Sequence, residues 1–158
     1  MENDVSLIDR KVQRVGQYTF DHKVSLSSKI SDYDYDVNNP NRRFISTYIH
    51  TFSVMDLCGM EVCKFKINSE SLYELITNLI FKSKYNQEGN IVSILVYGED
   101  YLVPYKLSVT GSNNGVSIII DPISMLEMNV GATLFIQNKD LDSLISMLKM
   151  EGSEDDYV

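Results

Sequence analysis

One physical pattern is written twice in this chain, at a separation of 69 residues. Cys63, Phe65 and Ile67 alternate as one face of a strand, Ser69 can cap a helix, and Leu72, Leu75, Ile76 and Leu79 then recur at helical spacing. Ala132, Leu134 and Ile136 repeat the alternation, Asn138 can cap, and Leu141, Leu144, Ile145 and Leu148 take the same offsets. The match is one of pattern, not identity. It predicts two similar units, each a run of strands closed by a helix.

The flanking segments fill out these units. Val12 to Phe20, Lys23 to Ile30, Phe44 to Val54 and Glu61 to Ile67 read as strands, with a turn at Asp21 and His22. The polar stretch SDYDYDVNNPNRR, Ser31 to Arg43, reads as an exposed loop, because its Asn-Asn-Pro-Asn core does not suit a sheet. A helix is expected over about Glu70 to Lys82, its lysines near the C-terminus where the helix dipole favours them. Strands follow at Ile91 to Tyr97, Tyr101 to Val109, Gly115 to Asp121 and Gly131 to Gln137, and a last helix over about Lys139 to Met150. Short turns between successive strands favour meanders. The expected class is therefore α+β: two antiparallel sheets with a helix after each, a duplicated ββββα unit. One domain, 1–150, would hold both repeats, at about 12–84 and 91–150, with an acidic tail at 151–158.

The 158 residues carry a net charge of −8, which argues against a uniformly basic nucleic-acid binder. The distribution says more than the sum. Residues 1–67 hold nine Lys/Arg and nine Asp/Glu, whereas 68–158 hold five and thirteen. The two cysteines, Cys58 and Cys63, match no zinc or disulfide framework, and Cys63 lies on an apolar strand face. The N-terminus lacks the basic-then-apolar order of a signal peptide, and no apolar run nears the roughly 18 residues of a membrane span. A soluble, cytoplasmic protein is expected, in the host cytoplasm if the gene is a phage's. A single alanine and heavy use of Ile, Asn, Tyr, Asp and Lys suit an AT-rich phage, virus or low-GC bacterium.

Enzymatic chemistry has little to stand on. There is no P-loop, GxGxxG, HExxH or paired CxxC, and His22 and His50 are the only histidines. No catalytic residue, metal or cofactor is expected. A binding surface is easier to draw. Phe44, Tyr48, His50 and Phe52 share one face of a strand, with Arg42 and Arg43 just before it and Lys64 and Lys66 facing outward on the next. Lys11, Arg14, Tyr18, Lys23 and Lys29 add cations and an aromatic ring. Cations that track phosphates beside rings that stack on bases suit single-stranded nucleic acid, with Tyr48 and Phe52 the best stacking candidates and Phe135 a weaker one.

The end, EGSEDDYV, is acidic and tipped by an aromatic and an aliphatic residue. Glu154, Asp155 and Asp156 would supply charge to a partner-binding peptide, and Tyr157 and Val158 an apolar tip.

The duplicated strand-rich unit resembles the Whirly fold, in which two four-stranded antiparallel sheets and two helices form a single-stranded DNA-binding domain. The resemblance spans roughly Val12 to Met150, with KVSLSSKI where plant members carry Lys-Gly-Lys-Ala-Ala-Leu. The tail is similar to those of bacterial and phage single-stranded DNA-binding proteins. Together they imply a sequence-tolerant binder of single-stranded DNA, or of RNA, in phage or viral replication or recombination. Replication or recombination proteins would be recruited through the tail, without a membrane, and a homo-oligomer is compatible with the repeats. The rival expectation is a protein-binding inhibitor or adaptor that mimics nucleic acid through an acidic face around Glu70, Glu74, Glu88, Glu99 and Asp100. A structural virion component is a third reading.

Overall fold

The computed structural model describes residues 5–30, 44–98, 104–123 and 131–149, with side chains placed for 7–26 and from 48 onward within these. Among these residues eight strands form: β1 (Val5–Val15), β2 (Tyr18–Ile30), β3 (Phe44–Met55), β4 (Glu61–Asn68), β5 (Gly89–Tyr97), β6 (Pro104–Ser112), β7 (Gly115–Pro122) and β8 (Ala132–Gln137). Helix α1 (Ser69–Tyr85) follows β4, and α2 (Leu141–Leu148) follows β8 after one turn of 3-10 helix, Asn138–Asp140.

The two separate sheets expected from the sequence do not form. All eight strands pair in chain order as one antiparallel sheet, β1-β2-β3-β4-β5-β6-β7-β8. Each half is the meander its turns predict, but a four-stranded meander ends in an open edge of unpaired main-chain groups. The α1 crossover brings β5 back beside β4, and the two edges meet at Lys66↔Tyr97. The sheet then curls, so that the Phe135 amide of β8 donates to the Tyr18 hydroxyl of β2 at 3.4 Å. The helices also reach across the two units. The helix of the second unit, α2, packs on β1 and β2 of the first, while α1 lies against β3, β4, β5 and α2.

The repeated apolar positions face the space between sheet and helices. Phe65, Ile67, Leu134 and Ile136 from the strands meet Leu72, Leu75, Ile76, Leu79, Leu141, Leu144, Ile145 and Leu148 from the helices in one continuous buried core. Cys63 packs against that core half-buried, and burial, with Glu61 adding to it, pushes its thiol up to about 12. Such a thiol stays protonated and inert.

Local signals shift by a residue or more. Asn68, not Ser69, caps α1, its side chain accepting from the Ser71 amide at 2.8 Å. Asn138 turns its amide instead to the Asn113 carbonyl, 2.6 Å away, which leaves the 3-10 turn to start α2. The first hairpin turns at Gly16, where φ is +62°, and not at Asp21 and His22, which lie within β2. Glycine takes that left-handed conformation without the Cβ penalty that a non-glycine residue meets. Lys82 points inward rather than to solvent: it is 1% exposed, and its Nζ donates to Asn86 Oδ1 and the Ser112 carbonyl at 2.7 and 2.6 Å.

Gly115 gives a direct test of the β7–β8 ladder. A methyl group there would run into the Ile136 carbonyl oxygen and come within 2.9 Å of the Gln137 Cα. Gly115→Ala is expected to lower stability by about 1–3 kcal/mol through overpacking, read as a lower urea midpoint. An unchanged midpoint would mean that the ladder has room there.

Candidate functional site

The helices cover one face of the sheet. Residues of the other face stand side by side wherever strand registers align. One such row crosses five strands: Arg10↔Lys23↔Thr51↔Lys66↔Tyr97. At roughly 4.8 Å between strands it spans about 19 Å. Lys64, opposite Ser53, adds a cation one row over, and Lys23 and Lys64 are exposed, with Lys66 and Tyr97 partly so.

An acid, Asp21, stands in the next row, opposite Ser53 and in line with Lys64. The Arg10 guanidinium donates to both Asp21 oxygens, at 3.0 and 2.8 Å, from a cross-strand diagonal. Those hydrogen bonds hold the Asp21 carboxyl below its ordinary range and raise Arg10 further. Asp21 therefore stays ionised and offsets the Arg10 charge. Lys23, Lys64 and Lys66 bring positive charge to the same face, which suits a polyanion.

The sequence-derived candidates divide between the faces. Arg14, Lys23, Lys64 and Lys66 lie on the helix-free face. Lys11 does not: its Nζ donates to the Ser146 carbonyl of α2 at 2.9 Å. Tyr18 packs half-buried against the core. Tyr48 is half-buried on the helix side of β3, and Phe52, 1% exposed, stacks between His22 and Phe65 with ring centroids 4.2 and 5.3 Å away. The aromatic face of β3 is thus the core face, because ring area is what fills the space under the helices. Phe52 has no surface on which a base could stack. The Lys29 side chain, Arg42, Arg43 and the tail residues Glu154, Asp155, Asp156, Tyr157 and Val158 lie outside the described residues, as do Glu99 and Asp100. Glu70 and Glu74, of the acidic face, stand exposed on α1, in the other layer from the cation row.

Arg10 and Tyr97 were missed by sequence reasoning. A signal for Tyr97 exists: Val92, Ile94 and Val96 alternate as buried residues of β5, which turns Tyr97 outward. Arg10 had no such signal, because the β1–β2 register shifts between Leu7 and Asp9.

The two histidines form a buried chain. His22 Nδ1 lies 3.1 Å from the Met147 carbonyl, His22 Nε2 lies 2.8 Å from His50 Nδ1, and His50 Nε2 lies 3.1 Å from the Ser69 hydroxyl. A carbonyl only accepts, so His22 donates through Nδ1, His50 donates to His22 Nε2, and Ser69 donates to His50 Nε2. Every polar atom is satisfied by two neutral rings. Burial pushes His22 down to about 4 and, with His22 as its neighbour, His50 to about 3. The atom order is that of a serine relay, yet the rings are 0% and 1% exposed, and the chain ties β2 and β3 to both helices. It is a clamp.

Among the described residues no group of three His, Cys, Asp or Glu is placed to hold a metal ion, and no helix is long and apolar enough to cross a membrane. No protein-family model matches the chain, and no curated protein is similar to it.

Proposed function

We propose that the chain binds single-stranded nucleic acid, DNA first, across the helix-free face of its first five strands. The observation that carries this reading is the aligned row Arg10, Lys23, Thr51, Lys66 and Tyr97. Cations spaced across a sheet neutralise successive phosphates whatever the sequence, and a ring at the end of the row offers a π-face that accepts any base. Charge polarisation supports it as well, because Arg10, Arg14, Lys23, Lys64 and Lys66 share one face despite the acidic total. Composition and the acidic end support a place in phage or viral replication or recombination, where such a protein coats exposed strands and recruits partners through Glu154 to Val158.

The test is equilibrium binding to labelled single-stranded DNA, duplex DNA and RNA over a salt series. Preference for a single strand with affinity that falls with salt is the expected result, and absence of binding at low salt would overturn the reading. Tyr97→Ala is expected to weaken binding about 5- to 100-fold, the loss of one stacked base, while leaving the salt slope unchanged. Equal affinity in the variant would remove Tyr97 from the interface.

A further inference from the structure

A second feature on the same side of the molecule has the chemistry of a nucleotide site. Where the β1–β2 turn meets β8, a groove of about 520 Å³ is lined by Arg14, Gln17, Phe135, Gln137, Lys139 and Asp140. On the far side of Phe135 a hollow of the same volume continues to Asn113 and Asn114. This volume is in the range of small-ligand sites. Phe135 is the groove's aromatic wall, 36% exposed on the outward side of an edge strand. Its place in the second unit is that of Lys66 in the first, by the 69-residue repeat.

The groove is also in line with the cation row. Arg14 shares the outward side of β1 with Arg10, four residues and about 13 Å along the strand. Arg10 is the cross-strand neighbour of Lys23, so positive groups run from Lys66 through Lys23 and Arg10 to Arg14 and then Lys139. Within the groove Arg14 is partly committed, its Nε donating to the Gly16 carbonyl at 3.1 Å, which fixes the guanidinium and leaves its terminal nitrogens for an anion. Asp140 opposes a second phosphate but can accept from an exocyclic amino group. Gln17 and Gln137 supply amides that both donate and accept.

We propose that this groove holds one unstacked nucleotide of a bound single strand, its base against Phe135 and its phosphate between Arg14 and Lys139. The proposal rests on the single-strand reading above and extends the path of the strand along β1 to the seam of the sheet. It makes Phe135, and not the buried aromatics of β3, the second stacking group.

The test is photo-crosslinking of thymidine oligonucleotides that carry one 5-iodouracil at successive positions, with the modified peptide mapped by mass spectrometry. Wild type is expected to crosslink at Phe135. Phe135→Leu, which keeps apolar bulk without an aromatic face, is expected to lose that crosslink and about 5- to 100-fold in affinity at unchanged salt slope and melting temperature. Arg14→Ala with Lys139→Ala is expected to flatten the slope. Crosslinks confined to Tyr97, with Phe135→Leu binding as wild type, would overturn the groove and leave the cation row standing. Failure of wild type to retain any oligonucleotide at low salt would overturn both.

Discussion

Acidification from pH 7.5 to pH 5 is expected to remove about 4 kcal/mol of stability, about 2 kcal/mol for each buried histidine. His22 and His50 are held below their ordinary value of 6.5, at about 4 and about 3, chiefly by burial. The unfolded chain takes up protons as pH drops through 6.5, while the folded chain does not until the lowered values are reached. Stability is therefore complete above 6.5 and declines as pH falls towards 4, at about 1.4 kcal/mol per pH unit for each ring. For a chain of this size the loss corresponds to roughly 10 °C in melting temperature. Thermal melts between pH 7.5 and 5 measure it, and imidazole chemical shifts that stay at their neutral values to pH 5 in the folded protein would confirm its source. A flat melting temperature over that range would refute the neutral chain. His50→Ala is expected to cost about 3 kcal/mol or more at pH 7.5, since it opens a cavity and strips His22 Nε2 and the Ser69 hydroxyl of their partners.

The second large effect concerns the cation row. Lys23→Ala with Lys66→Ala is expected to weaken single-strand binding at least tenfold at low salt and to reduce the log–log salt slope by about 1.4, two phosphate contacts at about 0.7 each. The two residues flank Thr51 across β2, β3 and β4, so they would meet nearby phosphates of one strand. Asp21→Asn is expected to act oppositely and tighten binding, because it removes the carboxylate that pairs with Arg10 of the row. Double variants that retain wild-type affinity and slope would move the site elsewhere.

Much of the layout was legible in the sequence because burial leaves a periodic trace. The alternation at Cys63, Phe65 and Ile67 and the helical spacing of Leu72 to Leu79 located β4 within a residue and α1 within three. What could not be read is whatever depends on partners distant in the chain. The pairing of β4 with β5 rests on one residue pair, and no local preference marks it. The first strand was misplaced because β1 is an edge strand with a bulge, so its alternation is broken, and the turn at Gly16 was overlooked in favour of Asp21 and His22. The site suffered for the same reason. On β3 both faces carry large side chains, and only the position of the helices decides that Phe52 is core and Thr51 is surface. Lysines were sorted correctly where apolar neighbours fixed the alternation, as at Lys64 and Lys66. Lys11 was missorted, because the α2 carbonyl it binds lies 135 residues away.

The crossed placement of α2 changes what the doubling of the chain means. A ββββα segment cut free in the linker around Gln87 would keep α1 but lose the helix that packs on the apolar side of β1 and β2. The detached second half would carry that helix without the surface of β1 and β2 on which it packs. Neither copy is a self-sufficient module. Two severed fragments should recover the native shape only by reassociating, and an ancestral single copy of this design would have needed a twin to lend it a helix.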